Sequence, residues 1–386
     1  MMRPIANAGC IALCASATLC TERTFAAEWR LSPGAYIGTS YADNPRLLTE
    51  GGTSSAGAAG EIKTTIQLVT ERSDFSLTPR LRSARYEDDE SLDSDDQFVV
   101  ASYRWSGERS QWSSELGLTR DTTLTSELGL TGLVQANRRH EALNVSAGPT
   151  FMLSERTSVG VQMYSVDNRY SDVEGTGLVG YGYRALSLFS TYTLSDRGSL
   201  TVTAQGGQLT AEGIGGSRSR DGTLKLSWSY RPYDLWQLTA SAGPSYAESS
   251  TTSDTGSVFE LEARREGDLW SLSTLAARSL TPTGRGVMMQ RDRVSVSVKK
   301  SLAERLDASF GAQWIRTEDL LPELDTRTYH VDYGRIDLTG YWRVAERWSL
   351  TLQLTATTQE REQSTARAEG YRALLSMVWN GLPHSL

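Results

Sequence analysis

The stretch WSLTLQLTATT, Trp348 to Thr358, alternates apolar and small polar residues without a break. Successive side chains of a strand point to opposite faces. Trp348, Leu350, Leu352, Leu354 and Ala356 therefore share one face, and Ser349, Thr351, Gln353, Thr355 and Thr357 the other. From Trp29 onward the chain is a succession of such segments of roughly ten residues, the length a tilted strand needs to cross a bilayer. No stretch longer than a turn keeps the apolar period of a helix, so almost no helix is expected. Two folds take strands of this kind: a secreted all-β sandwich would bury the apolar face, and a membrane barrel would turn it to lipid.

What separates the segments decides between them. Short polar turns occur at ERSD (71–74), SGER (106–109), SERT (154–157), SDRG (195–198), RPYD (231–234), REGD (265–268), SLAER (301–305) and AER (345–347). Longer linkers alternate with them, among them 43–61, 86–96, 210–220 and 247–257. Eight short turns interleaved with nine longer loops predict eighteen strands, with sixteen as the alternative. The expected fold is all-β, a transmembrane up-and-down antiparallel β-barrel with short periplasmic turns, longer outer loops and both chain ends on the periplasmic side.

The tryptophans agree. Trp105, Trp112, Trp228, Trp236, Trp270, Trp342 and Trp348 flank the short turns, Trp29 opens the first strand and Trp379 closes the last. Trp314 falls toward the other level. An indole suits the headgroup boundary, so these residues predict a membrane-interface girdle. Tyr41, Tyr86, Tyr170, Tyr246 and Tyr333 lie near the longer loops and predict its counterpart.

Only 39% of residues are hydrophobic, and no run is long enough for a transmembrane helix. The net charge of −7 argues against a nucleic-acid partner. Arg3 followed by the small and apolar run Ile5–Cys20 reads as a secretory signal peptide over 1–27, leaving 28–386 as the barrel. All three cysteines lie in that leader, so the mature chain needs no disulfide. The expected destination is the bacterial outer membrane. The expected partners are its lipid and lipopolysaccharide, together with the barrel-assembly machinery. The last strand, YRALLSMVW, turns Tyr371, Ala373, Leu375, Met377 and Trp379 outward, similar to the signal that this machinery reads. The tail NGLPHSL departs from it, since such signals usually end on the aromatic.

The opposite faces would line a lumen. By alternation its bases are Arg30, Lys63, Arg80, Arg82, Arg104, Lys225, Arg231, Arg264, Arg291, Arg293, Lys299, Arg335 and Arg343. Its acids are Glu61, Glu115, Glu260, Glu262, Asp307 and Asp337. A surplus of Arg and Lys on a pore wall favours anions. The competing reading is that these charges pair, as Arg335 with Asp337 or Arg264 with Glu262, and merely keep the bore wet. The segment Thr119–Ala142 carries Leu124, Leu128, Leu130, Leu133 and Val134, and ends in Arg138, Arg139 and His140. It either folds inward as a constriction or extends its two strands above the membrane.

The segments SYADNPRLL, RDTTLTSELGLTGLVQANRR, FMLSERTSVGV and YTLSDRGSLTV resemble the β-barrel porin-2 family of Gram-negative outer-membrane proteins, some of them associated with exopolysaccharide systems. The resemblance implies a channel or export barrel and carries no catalytic residues. A porin-like channel would pass anionic solutes; an exporter of an acidic polysaccharide would need periplasmic export components. A structural or adhesin barrel would act through its outer loops.

An enzyme is the weakest reading. The chain has three histidines, His140, His330 and His384, and no nucleophile elbow, zinc spacing or phosphate loop. A Ser-His-acid site is the arrangement to look for. DSDD (93–96) is either a calcium loop or a solvated charge run. No cofactor and no resident metal are expected.

Overall fold

The computed structural model describes residues 27–131, 137–212, 218–249, 252–320, 330–361 and 367–385. Nearly all of the signal-peptide segment, and Leu133 and Val134, lie outside the described residues.

Among the described residues eighteen long strands follow one another along the chain, before a two-residue strand at His384–Ser385. The first six are β1 Glu28–Asp43, β2 Ser54–Val69, β3 Ser73–Tyr86, β4 Ser94–Ser106, β5 Ser110–Thr122 and β6 Arg139–Met152. Next come β7 Thr157–Tyr170, β8 Tyr181–Ser195, β9 Gly198–Ala211, β10 Arg218–Tyr230, β11 Trp236–Glu248 and β12 Ser253–Arg265. The last are β13 Trp270–Pro282, β14 Met288–Ala303, β15 Leu306–Asp319, β16 His330–Arg343, β17 Trp348–Arg361 and β18 Ala368–Asn380. Each pairs antiparallel with the next, and β18 returns to β1 from Gly34↔Asn380 to Asp43↔Tyr371, so the sheet closes without a free edge.

The strands run 13 to 16 residues rather than about ten. The difference lies at the loop ends. Residues 54–61, SSAGAAGE, look like a linker, yet they pair with β1 through Asp43↔Ser54, Tyr41↔Ala56 and Thr39↔Ala58. Beyond the lipid band both faces of a strand are free of the apolar demand, so the ladder continues while the alternation stops. Among the described residues the only helical pieces are α1 at Thr123–Thr131 and a single 3₁₀ turn at Glu90–Leu92, in keeping with the expectation of almost no helix.

Ladder register fixes the two faces. The outer one carries Trp348↔Trp379, Leu350↔Met377, Leu352↔Leu375 and Leu354↔Ala373, and continues through Ile37↔Met377 and Ala35↔Ile62. Ile37 is 71% and Ile62 60% exposed, in a belt that also includes Leu188, Leu226, Leu261 and Leu338. An apolar belt of this kind is at home in lipid and would not be tolerated in water. Trp105↔Trp112, Trp29, Trp228, Trp236, Trp270 and Trp342 lie on the same face beside the short turns. Trp314 lies on it toward the loop end, with the Arg316 guanidinium 5.2 Å from its ring.

The tyrosine girdle is only partly as expected. Tyr41 and Tyr246 face outward and are exposed. Tyr86, Tyr170 and Tyr333 face the interior instead. They sit where the alternation has lapsed, and the lumen accommodates a phenol as readily as a headgroup layer does.

A charge on the belt is therefore costly and a charge on the inner face is not. Leu352→Lys should lower unfolding stability in lipid vesicles by about 2–4 kcal/mol. Thr351→Lys, one residue away, should change it by well under half of that. Equal losses in urea titrations would contradict the assignment of faces.

Candidate functional site: the mouth and wall of the lumen

The register places Arg30, Lys63, Arg80, Arg82, Arg104, Lys225, Arg264, Arg291, Arg293, Lys299, Arg335 and Arg343 on the inner face. Arg231 differs: it lies exposed in the turn after β10, past the last ladder pair. The bases form no single ring. Arg104, Arg264, Lys299 and Arg343 lie near the short-turn end, whereas Arg80, Arg82, Arg293 and Arg335 are higher.

The same register adds inner-face acids that the sequence reading missed, Glu28, Asp74, Asp96, Asp121, Asp221, Asp254 and Asp319, against Arg361 and Arg372 as added bases, so acids and bases come close to balance. The expected basic surplus narrows accordingly. Many of these acids are engaged. Asp337 takes two bonds from Arg335, at 2.6 and 2.8 Å, and one from Thr355 at 2.7 Å. Glu262 pairs with Arg264 at 2.5 Å, Asp307 with Ser301 at 2.6 Å, and Asp221 accepts from Tyr183 at 3.1 Å.

The loop end of the lumen is occupied. After Asp121 and Thr122 the chain leaves β5 and forms α1, whose base is closed by Thr123 N–H donating to the Arg138 carbonyl and Arg138 N–H donating to Thr123 Oγ1. Leu128 packs across the barrel against Ile315 and Tyr333, inner-face residues of β15 and β16 that are 0% and 1% exposed. Leu47 from the β1–β2 loop joins them. That loop is tied to its neighbour by Arg46 and Asp89, 2.6 Å apart. Hydrogen bonds from Ser91, with Arg46 beside it, hold the Asp89 carboxyl below the usual carboxylate range.

On the opposite wall Tyr170 donates a short hydrogen bond to Glu127 of α1. His140 lies beneath, its Nδ1 2.7 Å from Asp121 and 3.1 Å from Ser126, its Nε2 2.9 Å from Asn168. The residues of a Ser-His-acid site are thus together in the wrong order. A hydrolase needs serine and acid on opposite ring nitrogens. Here both meet Nδ1, Nε2 is occupied, and the serine hydroxyl also lies 3.2 Å from the Thr122 carbonyl. The cluster braces α1.

Of the expected constriction residues, His140 is a buried brace, Arg138 closes the loop base, and Arg139 donates to the Asp95 carbonyl. What crosses the lumen is α1 itself, by Leu128 and Glu127. A second bridge comes from residues 283–287. Val179 N–H donates to the Gly284 carbonyl at 2.7 Å, and Met288 is buried among Val166, Tyr181, Tyr183 and Leu209. Gly286, at φ +73°, lies where a Cβ would come within 2.6 Å of Ala211 and Val179, so glycine lets this tip seat. The DSDD carboxylates diverge: Asp93 accepts from Tyr86 N–H, Asp95 pairs outside with Arg85, and Asp96 is buried on the inner face. Among the described residues no three acids, histidines or cysteines gather as a metal would need.

No family model matches the chain, and no curated protein does. The porin-2 resemblance therefore remains one of short motifs. Among solved structures, OccK2 (OpdF) of Pseudomonas aeruginosa, in complex with glucuronate, is 11% identical over 93% of this chain and 100% of its own, with a TM-score of 0.49. OccAB2 of Acinetobacter baumannii is 9% identical over 94% and 100%, with a TM-score of 0.48. The siderophore receptor PirA of Pseudomonas aeruginosa is 11% identical over 91% and 80%, with a TM-score of 0.42. Likeness at this level carries no argument about substrate or mechanism.

Burial pushes the Glu127 carboxyl above its ordinary value of 4.5, against the opposing pull of the Tyr170 hydroxyl; His140 and Asp121 face the same group. A carboxyl that holds its proton more tightly when docked favours docking fully below that ordinary value. The advantage is lost as pH rises toward the raised one, by up to about 1.4 kcal/mol per pH unit. Openings of single channels in bilayers should become more frequent as pH rises from below 4.5. Glu127→Gln should remove most of that dependence and leave the acid-side behaviour throughout. Gating indifferent to pH in the wild type would refute this role for the Glu127–Tyr170 contact.

Proposed function

We propose that the protein is an outer-membrane channel of porin type that passes small anionic solutes. Its export would use the signal peptide over 1–27, and its insertion the barrel-assembly machinery. The observation that carries the reading is the chemistry of the inner wall. Many of its acids are already bonded to neighbours. Buried guanidinium nitrogens of Arg82, Arg293 and Arg372 have no hydrogen-bond acceptor. Oxygens of the inner-wall acids Asp96, Asp221 and Asp319 are likewise unpartnered, so the reading rests on these local guanidinium donors, which low-dielectric walls strengthen, rather than on the net charge of the wall. Placement of α1 across the bore suits a small solute better than a threaded polysaccharide, so the exporter is the second reading.

Conductance of the purified protein in a planar bilayer under a potassium chloride gradient tests this. The expected outcome is a pore whose reversal potential lies on the chloride side. Deletion of residues 123–131 should raise its conductance without abolishing anion preference. A cation-selective pore would overturn the proposal, as would no conductance in the deletion variant.

A further inference from the structure

Between α1 and the continuous stretch of wall that runs from β16 through the β18–β1 seam to β3 lies a cavity of about 520 Å³. Arg82, Arg335 and Arg372 line it, with Tyr36, Gln353 and Thr357. The three arginines differ in what they hold. Arg335 is committed to Asp337, which also accepts from Thr355. Arg372 sits in the same row of the wall, opposite Thr355 in the ladder, so the acid of its row is already taken. Its Nε and Nη2 are buried with no acceptor, and so is Nε of Arg82.

An empty donor on a buried guanidinium is costly, and such groups persist where something fills them. Nε and one terminal nitrogen are the pair of donors that a guanidinium presents to a carboxylate in a forked contact. Around them the wall offers hydroxyls and an amide, with Leu128, Leu374 and Val378 as the apolar part. The volume is that of a site for a small molecule.

We propose that this cavity binds a small hydroxylated carboxylate, its acid group on Arg372 and its hydroxyls toward the threonine and glutamine side chains, with Arg82, whose charge is shared with the neighbouring Asp96, supplying Nε as a further donor. The proposal rests on the anion-channel reading for the ligand's route, though not for its binding. Arg372 then acts as a resting place along the bore, occupied in passing and bounded on the loop side by α1.

Titration calorimetry of the purified barrel with gluconate tests it, beside glucose and inorganic phosphate. Gluconate should bind saturably and glucose should not. Arg372→Gln should weaken gluconate by about tenfold or more, and Arg82→Gln by a smaller factor. Arg169→Gln, on the outer face, should leave it unchanged. Heat-modifiable migration on gels establishes that each variant is folded; should Arg372→Gln fail to fold, Arg82→Gln decides. No saturable gluconate binding would overturn the site, as would an unchanged affinity in the folded variants. Phosphate binding as tightly as gluconate would overturn the carboxylate assignment. Binding without anion conductance would leave the site and remove the channel reading, and anion conductance without binding would do the reverse.

Discussion

Inside a bilayer no backbone N–H or C=O finds water, so every strand must be bonded on both sides. Closure of β18 on β1 meets that demand, and the rest of the molecule follows from it. Once the ladder fixes each backbone, a strand has one face for lipid and one for the lumen, and its residues have no third choice. The seam shows how strictly the requirement is kept. β1 extends six residues below its last contact with β18, and there the C-terminal tail returns to pair His384 with Leu31 and Ser385 with Arg30, after Gly381 N–H has bonded the Pro33 carbonyl. The tail that departs from a terminal aromatic signal thus serves as extra ladder at the joint.

Much of this was legible in the sequence because alternation is strict where lipid enforces it. The strand count, the short turns at one end, the tryptophan level and the parity of nearly all the inner bases follow from period two alone. Legibility ends where lipid does. Tyr86 and Tyr333 were readable and overlooked, since they share parity with the inward Arg82 and Arg335, whereas Tyr170, between Arg169 and Ser171, has no apolar neighbour to mark its face. The inner acids were undercounted for the same reason, since Asp96, Asp121 and Asp319 lie at strand ends. Arg372 was readable and overlooked: Tyr371 and Ala373 outward leave it no face but the lumen.

The contacts across the mouth were not legible at all. Leu128 with Ile315, Leu47 with Tyr333 and Met288 with Leu209 join segments far apart in sequence, and no local period announces them. The apolar content of the Thr119–Ala142 segment was the one signal, and it pointed to the right element. It could not say that the arginines at the segment's end would close the loop while a glutamate and a leucine of the helix crossed the bore. The wall and the mouth therefore differ in kind. The wall is written by the solvent on its far side, and the mouth by tertiary contacts.

That difference bears on how the mouth behaves. A nine-residue helix is too short to hold itself together in water, because nucleation outweighs the few hydrogen bonds it closes. α1 persists because it is docked at two opposite places, by Leu128 on β15 and β16 and by Glu127 on Tyr170. These contacts act together with the closed base at Thr123 and Arg138 and the brace of Ser126 on His140 against the cost of ordering the segment, about 1–2 kcal/mol for each residue's backbone. Loss of either docking contact thus loosens the helix as well as its seat, so docking and folding of α1 are a single event. The barrel beneath, held by continuous ladders, is indifferent to that event, which leaves the mouth free to change state on a wall that does not.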